Sequence, residues 1–173
     1  GPNRQLITMS MEEPEAGDWA EGEWVVDPAT GQQVWQPAEG GPSISADQWS
    51  QGLGRAGAVN VLYLGDNVYP VGLRDGTDPG FPTDSAHLQA QIDVMMGEST
   101  RRTRTAAYFI AGNHDWGNLI GAAGRDRLFN MASFIARRSR AANVEAAMLP
   151  YPGDATVARV DVGEFMRLLL IDS

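Results

Sequence analysis

LYLGDNVYP, residues 62–70, is the stretch on which the reading of this chain turns. With Val61 it opens as an apolar run, then stops at Gly65-Asp66-Asn67, a glycine followed by a carboxylate and an amide. A strand this apolar reads as one buried on both faces, as the strands of a covered parallel sheet are. Its polar end has two readings. Asp and Asn side chains cap the backbone in turns, and they are also hard oxygen donors for a cation.

A second run of the same kind follows. Ala106-Ala107-Tyr108-Phe109-Ile110-Ala111 ends at Gly112-Asn113-His114-Asp115. Between the two runs there is room for one helix, capped by Asp84 or Ser85 and running to about Met96, with Leu88, Ile92 and Met95 on one face. Strand, helix, strand predicts a parallel pair, so both polar clusters leave the sheet at one edge. In open α/β sheets that carboxyl edge is where ligands bind.

The surrounding sequence extends the pattern. Ser45-Ala46-Asp47-Gln48 offers a cap for a short helix through about Arg55, and a Gly/Asp/Pro-rich loop spans Gly65 to Pro82. A longer helix is predicted from Asp126 to Ala142, with Leu128, Phe129, Met131, Phe134 and Ile135 facing inward. Thr156–Val162 and Glu164–Ile171 read as two strands around Gly163. The fold class is α/β, with parallel strands flanked by helices.

Residues 1–42 differ: they form an irregular acidic segment rich in Gly, Pro and Trp. Its best local element is EWVVDPATGQQVWQP, residues 23–37, which reads as a hairpin around Asp27-Pro28-Ala29-Thr30-Gly31 with Trp24 and Trp35 placed to pair. The chain therefore divides into residues 1–42 and a domain over 43–173.

Composition narrows the function. Hydrophobic residues make up 43% of 173, enough for one sizeable core. The net charge is -9 and every basic residue is arginine, which argues against general nucleic-acid binding. No run approaches the roughly 20 apolar residues of a membrane helix, and no basic start with an apolar core reads as a secretion signal. Cysteine is absent, which excludes disulfides and thiolate metal sites, and His87 and His114 are the two histidines.

GDNVY and GNHD, in that order and each after an apolar strand, resemble the calcineurin-like metallophosphoesterases; Gly65-Asp66-Asn67-Val68-Tyr69 is also similar to a motif of the purple acid phosphatases. The resemblance covers about residues 58–173 and implies part of a metallophosphoesterase sandwich, hydrolysing phosphate esters with two metal ions, Mn, Fe or Zn. By position, it implies that Asp66 bridges the metals and Asn113 ligates one. His114 would contact the phosphate and stabilise or protonate the leaving oxygen, while Asp115 would hydrogen-bond the other imidazole nitrogen. Tyr69 would be a metal ligand if the purple subgroup applies, and a packing residue otherwise. Each also has a plainer reading: Asp115 as a helix cap, His87 as a surface residue, and Arg137, Arg138 and Arg140 as complements to a helix dipole.

The family pattern also asks for an aspartate after the first strand and for later histidines. Gly17-Asp18-Trp19 resembles the Gly-Asp-Trp of purple acid phosphatases, making Asp18 a weak match for a first-strand ligand; MEEPEA before it is no strand, and Ala20 stands where the pattern has glycine. No histidine follows His114. The expectation is an incomplete domain, either a piece of a longer enzyme, which is preferred, or a degenerate one. The alternative function is a non-catalytic interaction protein on that scaffold, meeting a protein partner through the Trp-rich residues 11–37.

Overall fold

The computed structural model describes residues 5–9, 22–26, 33–37, 46–55, 57–154, 156–162, 164 and 166–171, with side chains from Gln48 onward except at 58 and 59. In chain order the strands and helices begin with β1 (Gln5–Met9), β2 (Gly22–Val26), β3 (Gln33–Pro37), α1 (Ala46–Arg55) and β4 (Ala58–Tyr63). Then come α2 (Phe81–Met96), α3 (Glu98–Thr103), β5 (Ala106–Phe109), α4 (Gly121–Ala142), β6 (Glu145–Met148), β7 (Val157–Val162) and β8 (Met166–Ile171). β2 and β3 belong to a separate compact unit, where they pair antiparallel with Trp24 in register with Trp35. The turn read at 27–31 and the first-strand candidate Asp18 lie outside the described residues.

In the larger unit β4, β5 and β6 form a parallel sheet, with Asn60 opposite Ala106 and Ala106 opposite Glu145, and β1 pairs parallel to β4 on the outer side. The order β1-β4-β5-β6 never reverses. Right-handed crossovers that all step the same way lay their helices on the same face. The side chains agree. Val61, Tyr63, Ala107 and Phe109 share a core with Leu88, Ile92, Met95, Leu128, Met131 and Ile135 of α2 and α4. The alternate residues Leu62, Tyr108 and Ile110 pack instead with Val160, Val162 and Leu170 of the antiparallel pair β7–β8. The sheet is thus covered by helices on one side and by β7–β8 on the other, which is why its strands are apolar on both faces. Each fully buried Leu or Ile in that core contributes about 1.5–3 kcal/mol.

Several sequence expectations need correction. The segment read as irregular contains β1, whose QLITM is too short to signal a strand alone and takes its form from pairing with β4. The crossover read as one helix holds two, α2 and α3, and the alanine-rich β6 was not anticipated. Asp84 does not cap α2, which starts at Phe81; the carboxylate is buried within the helix against Arg74 Nε at 3.0 Å. No helix among the described residues is long and apolar enough to cross a membrane.

Candidate functional site

β4 and β5 end side by side, and one further bond, Ile110 N–H to the Tyr63 carbonyl at 2.9 Å, carries their pairing into the loops. The loops then touch through two glycines. A Cβ on Gly65 would lie 3.0 Å from the Gly112 Cα, and a Cβ on Gly112 would lie 2.1 Å from Asp66 Oδ1. Gly65 has φ +99°, and Asp66 follows with φ +50° in the left-handed region that Asp tolerates better than most residues. The two motifs thus need their glycines to bring the carboxylate of one against the backbone of the other.

Asp66 is partly exposed and anchors the cluster. Its Oδ1 accepts the backbone N–H of His114 at 3.1 Å, and its Oδ2 accepts the Tyr69 hydroxyl at 3.3 Å. The Tyr69 ring lies over the His114 ring, centroids 4.1 Å apart and planes tilted by 34°. Tyr69 therefore packs, as one reading held, and also brings its oxygen to the carboxylate. The His114 Nδ1 sits 2.8 Å from the Pro70 carbonyl. A carbonyl only accepts, so the hydrogen-bond network assigns the proton to Nδ1 and leaves Nε2 for other partners.

Asp115 does not hold the imidazole, contrary to what the resemblance implied; Pro70 does. The Asp115 carboxylate is fully buried. Its Oδ2 accepts from Asn67 N at 3.2 Å, Asn67 Nδ2 at 2.9 Å and Gly112 N at 3.0 Å, and its Oδ1 from Val68 N at 3.0 Å. All four of these donors belong to the two loops and none to the ring. Burial pushes its carboxyl above the usual range, with the N–H donors of Gly112, Asn67 and Val68 pulling the other way. It is a tie between the two loops. Asn113 is exposed and gives its Nδ2 to Asn118 Oδ1 at 2.9 Å.

The structure thus joins Asp66, Tyr69 and His114, sets Asn113 beside them, and turns Asp115 inward. His87 is exposed on α2, as read. Sequence reasoning missed three residues. Asn67 was read as a turn cap or an oxygen donor and given no role in joining the loops, yet it is buried and its Nδ2 also bonds the Ile110 carbonyl at 2.8 Å. Pro70 acts through a backbone oxygen, which has no sequence signature. Asn118 carried one usable signal, a polar residue in the loop directly after GNHD.

Asp66 and Tyr69 place two oxygens 3.3 Å apart, a start on one hard-cation site. Among the described residues no group of three or more His, Cys, Asp or Glu side chains is gathered for a metal. These residues fit part of one cation site and do not fit a two-metal centre. No family model, curated protein or solved structure matches the chain.

Proposed function

We propose that this chain serves the metal-dependent hydrolysis of phosphoric esters, as a member of the calcineurin-like metallophosphoesterases. One observation carries the reading: Asp66 and His114, from two motifs on adjacent parallel strands, meet at the carboxyl edge of the sheet, with the His114 backbone bonded to the carboxylate. The work of this chain's own residues follows from that geometry. Asp66 fixes the His114 backbone, Tyr69 fixes the ring plane, and Pro70 fixes the ring's proton. A protonated His114 keeps Nδ1–H on Pro70 and offers Nε2–H to the substrate. As water attacks phosphorus and the bond to the leaving oxygen breaks, that proton passes to the departing oxygen. Among the described residues, Asp66, Tyr69 and Asn113 would be the donors toward a cation.

The test is an assay of the protein made from its full reading frame, on a generic phosphomonoester with added Mn²⁺ or Zn²⁺. Turnover that Asp66→Ala abolishes is the expected outcome. Equal, absent turnover in wild type and variant with every divalent cation tried would overturn the proposal.

A non-catalytic scaffold is the second reading, and one observation favours it. Both Asp66 oxygens already have internal donors, so the loop pair closes without a cation. A partner surface would then lie in residues 11–37, where Trp24 and Trp35 are in register. The same assay separates the two.

A further inference from the structure

Pro70 has an acceptor-only oxygen, and two nitrogens lie on it. His114 Nδ1 is at 2.8 Å and Asn118 Nδ2 at 3.4 Å, the two nitrogens being 3.3 Å apart. Both must donate, because the carbonyl cannot. Once the Asn118 amide turns its nitrogen to Pro70, its Oδ1 faces the opposite way, and there it accepts from Asn113 Nδ2 at 2.9 Å. The reverse amide orientation would set oxygen against the Pro70 oxygen and would require the exposed Asn113 amide to reverse as well. With both nitrogens donating to Pro70, the bonds of the chain Asn113, Asn118, Pro70, His114 all run in one sense, ending on that backbone carbonyl.

The backbone supports this placement. Asn118 has φ +53°, a conformation that Asn adopts more readily than most residues. Its own N–H bonds the Asn113 carbonyl at 3.0 Å, closing the loop that brings the two amides together. Trp116 and Gly117 extend the same tight loop, with Gly117 N–H on the His114 carbonyl at 2.7 Å. The segment after GNHD is folded back upon the motif it follows.

We propose that Asn118 is a positioning residue that sets the polarity of the site. It consumes the Asn113 nitrogen, so Asn113 presents Oδ1 outward, the atom an amide uses toward a cation or a donor group. By sharing the Pro70 carbonyl it stands beside the bond that leaves His114 Nε2 outward. The use of this polarity for substrate binding rests on the phosphoester reading above, whereas the polarity itself does not.

Nitrogen NMR of the side chains tests it without turnover. With only two histidines, His87→Gln identifies the His114 ring signals. In the wild type, neutral His114 is expected to carry its proton on Nδ1, and the Asn113 NH₂ signals to be displaced from those of a solvated amide. Asn118→Gly keeps the positive φ and deletes the amide, so the Asn113 NH₂ signals should move to solvated values. Asn118→Asp retains an acceptor, so they should stay displaced. Unchanged thermal midpoints in both variants confirm that folding is intact. A wild-type His114 protonated on Nε2, or Asn113 signals identical in wild type and Asn118→Gly, overturns the inference. Either result stands apart from the phosphomonoester assay, whose failure removes the phosphoester reading alone.

Discussion

Asp115 holds Asn67 twice, through the backbone N–H at 3.2 Å and the side-chain Nδ2 at 2.9 Å. The residue predicted to orient a catalytic ring instead fastens the GDN loop to the GNHD loop, with Val68 and Gly112 completing its set of donors. Asn67 extends the tie into the helix layer. Its carbonyl accepts Gln91 Nε2 at 3.0 Å, and the Gln91 carbonyl accepts the Tyr63 hydroxyl at 3.0 Å. The site's rigidity and the fold's stability therefore meet in one buried carboxylate.

Removing that carboxylate should be costly. Asp115→Ala strands buried donors on Asn67, Val68 and Gly112, each worth about 1–3 kcal/mol when unsatisfied. With water reaching some of them, a net loss of about 3–5 kcal/mol is expected. At about 2–4 °C per kcal/mol for a domain of this size, the thermal midpoint should fall by roughly 10 °C. A calorimetric shift under 2 °C would remove Asp115 as the tie.

The pH dependence carries a definite sign. Burial raises the Asp115 carboxyl above its unfolded value, and burial does the same to Asp84 despite the Arg74 guanidinium beside it. A carboxyl raised on folding takes up a proton as the chain folds. Its contribution to stability is fully present below the unfolded pKa and is lost as pH rises through the folded pKa. Urea midpoints should therefore decline as pH climbs upward from the ordinary carboxylate range, and Asp115→Asn should flatten its share of that decline. Midpoints that rise over the same window would contradict the assignment.

The sheet was legible in the sequence where burial demanded it. Val61 to Tyr63 and Ala106 to Phe109 had to be apolar on both faces, and their strands were found with their parallel sense. Gln5–Met9 was not, because Gln5 and Thr8 leave neither an alternating pattern nor a continuous apolar run in five residues that only the neighbour β4 makes a strand. At the candidate site, Asp66, Asn113 and His114 were singled out by residue type and Tyr69 only by the resemblance. What was illegible is how they are held. The Pro70 carbonyl is the same group in every residue, and the burial that turned Asp115 inward arises from two loops 48 residues apart in the chain.

Gly112 tests whether loop contact, rather than flexibility alone, explains why a glycine precedes each of the two polar clusters. A methyl there would meet Asp66 Oδ1 at 2.1 Å and Asp66 N at 2.4 Å, and backbone cannot yield as a side chain can. Gly112→Ala should push the Asp66 loop away from β5. If the phosphoester reading holds, a displacement near 1 Å lowers kcat/KM by about 10²-fold. Full activity in Gly112→Ala would show that the contact is dispensable.

On the phosphoester reading, His114→Asn separates proton donation from mere binding. The Asn amide can keep a donor on the Pro70 carbonyl, where Nδ1 now lies at 2.8 Å, while Nε2 is lost. General acid catalysis is worth about 10²–10⁴-fold, and its worth depends on how badly the leaving oxygen needs a proton. An alkyl phosphate should therefore lose kcat by about that factor in His114→Asn. A nitrophenyl phosphate should lose much less, because nitrophenolate departs without a proton. Equal losses on the two substrates would strip His114 of the proton and leave it a binding role. A change confined to KM would say the same. The comparison is internal to one variant, so a general loss of folded protein scales both rates alike and cannot imitate the expected difference.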